Sequence, residues 1–464
     1  MTSSASPIEP PRRGIALQFH AQMPPQTSSI HRAAITAILL LTLPFFGQSF
    51  YYMVQWPALY YLSKGWPVFV ALLTVRGILG DSVPLRAQFL LLLTFTIGIT
   101  PIMAIIQFSG GIVDAMLTTV KIWPFTYYFA FLALLTLLKP SPRQLGRSVL
   151  ALGAATMLLM PVLWIALPSS WYSTDAVNAK FLLFDVERGY RIYMPMFFGM
   201  LFLFYLVRRL SVQRELWVAL AVVSCFVILV MVFKQRTSIA SAALVTSLIL
   251  TPARWRRLVV AFLMIAIVIA IVYLFMRPPV ETLLGSLGGS LTVRLLSLQS
   301  AISYIGSDPL NWLIGKGTTS RFGSVSMSDV LGNAYFFLAD IGWIGVIFEY
   351  GLIGAALILT LYISGFRLSR KIANDQTNTD HAMFSLAISD YILFMLIQSA
   401  VYSLVFVPGE FATLLAIAVY LARFTPITST VSSPPKEPAI RPSIYFKPPQ
   451  QVIFHAPPHP KARF

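Results

Sequence analysis

Apolar runs of roughly 20 residues recur along most of this chain, and short polar connections separate them. A helix needs about 20 residues to cross a hydrocarbon core ~30 Å thick, and it satisfies its own backbone hydrogen bonds there. The pattern therefore predicts an all-α, polytopic integral membrane protein with about twelve transmembrane helices. The predicted spans lie near 33–53, 66–80, 87–107, 118–138, 146–167, 191–207, 216–234, 237–251, 258–276, 341–363, 383–402 and 405–423.

These spans form one membrane domain, 33–423, between two polar tails. Residues 1–32 are proline-rich, and the apolar run after them is too long for a cleavable signal peptide. Residues 424–464 contain repeated Pro-Pro pairs, so both tails are predicted to be disordered in the cytoplasm. The longest connection, 277–340, joins spans nine and ten. Its apolar residues at helical spacing, followed by a turn-rich stretch, predict an amphipathic helix on the membrane and a glycine-rich loop.

Charge distribution sets the predicted orientation. Hydrophobic residues make up 57% of the chain and charged residues 11%, which is typical of a membrane protein. If both termini are cytoplasmic, 23 of the 34 Lys and Arg residues lie on that side, as the positive-inside rule requires. The net charge of +17 then belongs mostly to orienting loops, and no basic soluble module for nucleic acid is present.

Several kinds of chemistry are excluded by what the sequence lacks. The only cysteine, Cys225, permits no intrachain disulfide and no CxxC site. All five histidines fall on the predicted cytoplasmic side, which argues against Ser–His–Asp or zinc chemistry on the outer face. Walker and dinucleotide-binding motifs are also missing, and no two carboxylates are spaced as in a glycosidase. We therefore predict no cofactor and no metal requirement.

Cationic residues gather at the predicted outer surface. Arginine presents a planar, permanently charged fork that binds phosphate bidentately, so these residues indicate a site for a lipid-linked pyrophosphate. The alternative is that they only contact lipid headgroups. The candidates are Arg191 at the start of span six, Lys234 and Arg236 between spans seven and eight, and Arg294, Lys316 and Arg321 in the long loop.

Acidic and aromatic candidates are fewer. Asp340 begins span ten, where it either caps the helix or orients an arginine and accepts a proton from an attacking sugar hydroxyl. Glu349 and Asp390 lie within predicted spans and either have a functional role or take part in helix packing. Three outward aromatic residues are candidates for stacking on sugars, with interface anchoring as the alternative. They are Trp171, Tyr172 and Trp312.

Three stretches in 190–365 resemble the O-antigen polymerase and O-antigen ligase family of bacterial envelope proteins. KQRTS at 234–238 opens a short span rich in small residues, and a large loop follows it. DPLNWLIGKG at 308–317 is similar to the family's Pro…Gly-x-Gly stretch. EYGLIG at 349–354 is similar to its Gly-Leu-hydrophobic-Gly signature.

The resemblance implies a GT-C-like glycosyltransferase in the bacterial inner membrane, acting at the periplasmic face. Its substrate would be an undecaprenyl-pyrophosphate-linked oligosaccharide, which the enzyme polymerises into exopolysaccharide or O-antigen. The family's functional arginines map by position onto Arg236 and Arg294. Where ligases carry a histidine, this chain has Asn333 and Asp340, which favours a polymerase. Membrane lipids, a chain-length regulator and export proteins are the further partners implied.

In the predicted mechanism, Arg236 and Arg294 stabilise the negative charge that develops on the departing pyrophosphate. Asp340 assists at the acceptor, and the other cations and aromatic residues bind substrate. A ligase of the same family is one alternative, and a lipid-linked oligosaccharide flippase or transporter is another. A transporter should show charges along a central path and matched halves, whereas this chain has an asymmetric loop. A non-catalytic component of an export system is the third alternative.

Overall fold

The computed structural model describes residues 29–80, 83–108, 111–175, 181–194, 196–252, 289–317, 338–376 and 378–424, with isolated positions between them. These residues are mostly helical, with two short antiparallel hairpins. The helices are α1 (Ser29–Phe46), α2 (Pro57–Phe69), α3 (Ala71–Leu79), α4 (Arg86–Leu93), α5 (Thr100–Phe108), α6 (Ile112–Thr118), α7 (Tyr127–Leu138), α8 (Pro142–Ala166), α9 (Phe197–Gln213), α10 (Leu216–Ile228), α11 (Arg236–Leu250), α12 (Gly289–Ile305), α13 (Pro309–Ile314), α14 (Gly342–Asp375), α15 (Thr379–Gln398) and α16 (Pro408–Ala422). The strands are β1 (Leu182–Asp185), β2 (Gly189–Ile192), β3 (Arg321–Phe322) and β4 (Val325–Ser326).

Helices of membrane-spanning length and hydropathy are present, as the apolar pattern predicted. Within the described residues there are seven, and a further pair, Ile112–Lys121 and Trp123–Leu138, is bent by 58°. Two shorter apolar helices, α11 and α16, coincide with predicted spans eight and twelve. Most of the predicted span 258–276 and most of both predicted tails lie outside the described residues, so the count of twelve stays a prediction; residues 29–32, predicted as tail, are the first turn of α1. The seven are Ser29–Phe46, Pro57–Leu79, Arg86–Gln107, Pro142–Ala166, Leu216–Phe233, Leu338–Asp375 and Thr379–Gln398.

Several boundaries differ from the prediction, among them the end of span ten, which continues to Asp375, and two of the starts differ for local reasons. The second span begins at Pro57 rather than near residue 66, because proline fits the first turn of a helix, where no backbone N–H is needed. The sixth span was predicted from residue 191, but α9 begins only at Phe197. Arg191 instead lies on β2, which pairs with β1 so that Leu183 faces Arg191. Since Tyr190 and Ile192 on either side of Arg191 are aromatic or apolar, this strand resembles the start of a membrane span in the sequence.

The centre of the bundle is α16. Every residue from Pro408 to Leu421 is buried, as expected for an apolar helix enclosed by protein rather than by lipid. Its N-terminus is fixed to the segment after α1, because Gln48 Oε1 accepts a hydrogen bond of 2.7 Å from the backbone N–H of Gly409. This contact holds the first turn of α16 beside the polar cleft described below.

A buried ion pair joins α9 to α15. The Arg208 guanidinium donates two hydrogen bonds, of 2.6 and 2.7 Å, to the Asp390 carboxylate, which is 1% exposed. Arg370 lies 3.9 Å from the same carboxylate. Of the two interpretations of Asp390 from the sequence, this geometry favours helix packing.

Two of the sequence motifs meet where α14 is broken. Gly351 has φ +63° and interrupts the helix, which frees carbonyl groups in the preceding turn. The N–H of Lys316 donates to the carbonyl of Phe348 at 2.7 Å, and that of Gly317 to the carbonyl of Glu349 at 3.2 Å. The GKG of the long loop is therefore attached by its backbone to the EYG of α14.

Candidate functional site

The β1–β2 hairpin presents a cluster of charged residues. Arg191 Nη2 lies 3.6 Å from Asp185 Oδ2, and Arg188 Nε lies 3.7 Å from the same oxygen. Burial lowers the pKa of Arg191, the nearby Arg188 lowers it further, and Asp185 partly offsets both effects. The Nε atoms of both arginines are buried and make no hydrogen bond within the described part of the chain. Both guanidinium groups thus keep an Nε donor that is not hydrogen-bonded to a described residue, with Arg188 Nε held only at ion-pair distance from Asp185.

The turn before α11 lies against this hairpin. Lys234 adopts φ +57° and ends the preceding helical segment, and its Nζ donates a 2.8 Å hydrogen bond to the carbonyl of Arg188. Arg236 begins α11, and its Nη2 lies 3.8 Å from Glu187 Oε2 of the hairpin. The Arg236 side chain is 69% exposed. Arg191, Lys234 and Arg236, predicted from distant parts of the sequence, therefore lie in one cluster, which we call the cationic rim (Arg188, Arg191, Lys234 and Arg236).

A polar cleft opens beside the cationic rim. Gln235, between the two rim residues of the turn, points inward, and its Nε2 donates to the Tyr193 hydroxyl at 3.4 Å. Tyr193 donates to the hydroxyl of Tyr402 at 3.2 Å, and the Tyr52 hydroxyl lies 3.2 Å from the same oxygen. The cleft has a volume of about 30 Å³. Other residues of its wall are Met194, Met196, Met200, Phe233, Ser238, Tyr391, Phe394, Gln398, Leu404, Val407 and Glu410.

Asp340 lies close to the same tyrosines. It belongs to a 3₁₀ turn, Leu338–Ile341, whose Ala339 carbonyl accepts a 2.8 Å hydrogen bond from the N–H of Ser403. The N-cap of α14 is Ile341, so Asp340 is not the capping residue. Burial raises the pKa of Tyr193, the adjacent Tyr402 raises it further, and the charge of Asp340 adds to this. Asp340 therefore shares the electrostatic environment of the cleft.

Trp171 and Tyr172 lie near the hairpin. The ring of Tyr172 packs edge-on against Tyr190 of β2, with 5.1 Å between the centroids, and burial raises its pKa. Trp171 is 53% exposed. An exposed indole beside a half-buried phenol leaves one face for stacking on a sugar ring or for contact with the membrane interface.

Lys316 and Trp312 belong to a second polar cluster, at the break in α14. Lys316 is buried, and its Nζ donates to Gln107 Oε1 at 3.3 Å. Burial lowers the pKa of Lys316, and Asp308 partly offsets this. Lys121 forms an ion pair with the buried Glu349 in the same region. Trp312 Nε1 donates to the carbonyl of Gly306 at 2.9 Å, so its ring is held by the loop.

The remaining two candidates are Arg294 and Arg321. Arg294 lies on α12, half-buried, and makes no hydrogen bond or ion pair with another described residue. A helix does form at the predicted place, and it packs through Ala301 and Ile305 against Phe348 of α14, whereas its predicted position on the membrane stays a prediction. Arg321 begins β3, which lies against α6, and its side chain is outside the described atoms. No described contact joins Arg294 to the cationic rim, so its pairing with Arg236 stays a prediction.

Sequence reasoning missed the tyrosines and Glu410. Tyr52, Tyr193 and Tyr402 lie in connections far apart in the sequence, and nothing local signals that they meet. Glu410 had a usable signal, because it is a carboxylate within a predicted span, the criterion that singled out Glu349 and Asp390. Within the part of the chain that the structure describes, no group of three His, Cys, Asp or Glu residues is placed to hold a metal ion.

Comparison with known proteins adds no family: no protein-family model matches the chain, and no curated protein matches it either.

Proposed function

We propose that this protein is a membrane-embedded glycosyltransferase that polymerises undecaprenyl-pyrophosphate-linked repeat units at the periplasmic face of the inner membrane. The observation that carries the proposal is the cationic rim beside a cleft of tyrosine hydroxyls. Four cationic side chains lie around one hairpin, and two of them have a buried Nε atom that makes no hydrogen bond with a described residue. A diphosphate is the ligand chemistry that uses such donors best.

The proposed glycosyl transfer needs few further protein groups. A glycosyl pyrophosphate already carries a good leaving group, and its departure builds negative charge on phosphate oxygen. Arg191 and Arg236 stabilise that charge, and the partial burial of Arg191 strengthens its interaction relative to bulk water. Asp340 accepts a hydrogen bond from the attacking sugar hydroxyl at the cleft, which orients it towards the anomeric carbon. Trp171 offers a face for the sugar.

The long-loop residues have supporting roles in this proposal. The buried Lys316 holds the GKG loop against Gln107 and acts on loop position rather than on phosphate directly. Arg294, which the family resemblance pairs with Arg236, contributes to holding the pyrophosphate from the outer side. The ion pairs neutralise the Asp390 and Glu349 carboxylates within the bundle, so neither supplies an unpaired charge for a central path, which supports a transferase over a transporter.

The decisive experiment is analysis of lipid-linked intermediates in a deletion strain. If the protein is a polymerase, the deletion strain should accumulate single lipid-linked repeat units. If it is a ligase, the strain should accumulate completed lipid-linked polymer. A flippase predicts that single repeats stay on the cytoplasmic leaflet, which leaflet-selective enzymatic labelling detects. Complementation with Arg191→Ala or Arg236→Ala should lower polymer by about 100-fold at equal membrane abundance.

A matched control is Arg209→Ala. Arg209 is also on a helix of the bundle and pairs with Glu215, but it lies near the other end of α9, roughly 20 Å from the hairpin. This variant should build full-length polymer. Normal polymer from both rim variants would show that the cationic rim does not hold the leaving group.

A further inference from the structure

Glu410 lines the inner wall of the cleft. It stands in the first turn of α16, is 3% exposed, and accepts a 2.6 Å hydrogen bond from the Tyr391 hydroxyl. None of the described Lys, Arg or His residues forms an ion pair with it. Burying a carboxylate without a cation is costly, so such a group is more often retained for function than for stability.

Polar atoms lead from the cationic rim into the cleft that Glu410 lines. Gln235, next to Arg236, is hydrogen-bonded to Tyr193, and Tyr193 and Tyr52 both meet the hydroxyl of Tyr402. These groups and the Glu410 carboxyl line one cleft. Hydroxyl groups donate and accept at once, so such a chain relays protons by successive transfers.

The cleft is large enough for water, and one of its buried polar atoms has no hydrogen-bond donor among the described residues. Its volume of about 30 Å³ holds about two water molecules. Gln398, which lines the cleft and is 2% exposed, has an Oε1 atom with no hydrogen-bond donor among the described residues. A water molecule would satisfy this oxygen and bridge the tyrosine hydroxyls to Glu410.

We propose that Glu410 is the proton acceptor of the transfer reaction, reached through the tyrosine hydroxyls and cleft water. The proposal rests on the proposed function. The acceptor oxygen forms a bond to the anomeric carbon, and the bond from that carbon to the pyrophosphate oxygen breaks, with its electron pair leaving on the pyrophosphate. The proton of the acceptor hydroxyl passes along Tyr193, Tyr402 and water to the Glu410 carboxylate. Glu410 later returns it to solvent by the same path.

The test is steady-state kinetics of the purified full-length protein with undecaprenyl-pyrophosphate-linked repeat units extracted from a deletion strain. Glu410→Gln preserves shape and an oxygen for Tyr391 but removes the proton-accepting charge. We expect kcat to fall by about 100-fold, in the range of general-base catalysis, with KM within about twofold of wild type. Glu410→Asp should recover at least about tenfold over Glu410→Gln, because water bridges the shorter side chain.

The inference is overturned if Glu410→Gln keeps more than a third of the wild-type kcat, as expected if Asp340 alone takes the proton. It is also overturned if KM rises in step with the loss, or if Glu410→Asp is no better than Glu410→Gln. The matched control is Glu215→Gln, since Glu215 is a half-buried glutamate just beyond the C-terminal end of α9 and pairs with Arg209. It should leave both constants unchanged.

Two further variants separate the possible failures. If Glu410→Gln does not accumulate in the membrane, Tyr402→Phe tests the relay instead, because it removes a hydroxyl from the chain while keeping the ring. We expect about a tenfold loss of kcat, and no loss would reject the relay. If Arg191→Ala is inactive and Glu410→Gln is fully active, only this inference fails. If Arg191→Ala and Arg236→Ala are both fully active, the proposed function itself fails.

Discussion

The ammonium group of Lys234 donates a 2.8 Å hydrogen bond to the backbone carbonyl of Arg188. This contact joins a turn between two helices to the tip of a hairpin 46 residues earlier in the chain. Because Lys234 bonds to the backbone, it fixes the course of the hairpin without occupying the Arg188 side chain. In the cationic rim, Lys234 thus positions the hairpin. The guanidinium groups of Arg188 and Arg191 lie on the hairpin, and that of Arg236 lies next to it.

Lys234→Met should loosen this junction. The apolar stem is kept but the hydrogen bond is lost, so we expect polymer yield to fall by about tenfold at equal abundance, a loss of about one charge-assisted hydrogen bond. Quantitative polymer blotting in a complemented deletion strain measures it. Lys139→Met is the matched control, because Lys139 is also a lysine with positive φ at a helix end. Equal yields from the two variants would contradict the positioning role.

Arg191→Lys tests whether the rim needs guanidinium geometry or only positive charge. Lysine keeps the charge but lacks the planar fork, and a bidentate phosphate contact would be lost. We expect kcat to fall at least about tenfold, while Arg209→Lys at the other end of α9 has no effect. An Arg191→Lys enzyme with wild-type kcat would mean that charge alone suffices.

The junction of the long loop with α14 should tolerate no side chain at Gly351. This residue has φ +63°, and a Cβ atom there would lie 2.2 Å from the Leu313 carbonyl oxygen. Gly351→Ala should therefore lower the free energy of unfolding by about 1–3 kcal/mol or more. Gly98→Ala is the control, since a Cβ at Gly98 meets nothing within 4 Å. Thermal unfolding of both variants in detergent gives the comparison, and equal melting temperatures would refute the tight junction.

Asp390→Asn should destabilise the bundle without altering the chemistry. It leaves the largely buried Arg208 without its carboxylate, which costs about 3–5 kcal/mol for a buried pair. The double variant Arg208→Met, Asp390→Leu should recover much of the loss, since no uncompensated charge remains. Thermal unfolding measures both. A stable Asp390→Asn protein that no longer makes polymer would instead indicate a direct functional role.

Metal independence has a direct test. Because the proposed reaction uses arginine and lysine at the leaving group, a chelator such as EDTA should leave polymer growth by the purified protein unchanged. The comparison is initial rate with and without chelator, followed by addition of excess Mg²⁺ or Mn²⁺. Loss of activity that either metal restores would contradict the proposed charge stabilisation.

The sequence predicted the helical membrane character well, because apolar runs of spanning length have few other solutions. It also predicted that α11 begins near Arg236 and that a helix contains Arg294. It placed Arg191 on a helix because Tyr190 and Ile192 are apolar or aromatic, a composition that a buried strand and a span share.

The cleft itself was beyond sequence reasoning. Tyr52 and Tyr402 are 350 residues apart, and only the packing of α16 between their segments brings their hydroxyls together. Similarly, Lys316 was taken for an outward phosphate ligand, whereas the broken α14 draws its backbone inward and buries it. Single-sequence patterns report on neighbours along a helix or strand, and both of these features depend on tertiary contacts.

The attachment of GKG to the break in α14 uses main-chain atoms, with glycine at Gly315, Gly317 and Gly351. This attachment depends on the backbone conformation of the two segments. It does not depend on most of the side chains between them. The chain between residues 317 and 338 can therefore change in length or sequence without loss of this backbone attachment. The anchor that returns the loop to the membrane helix would survive every such change.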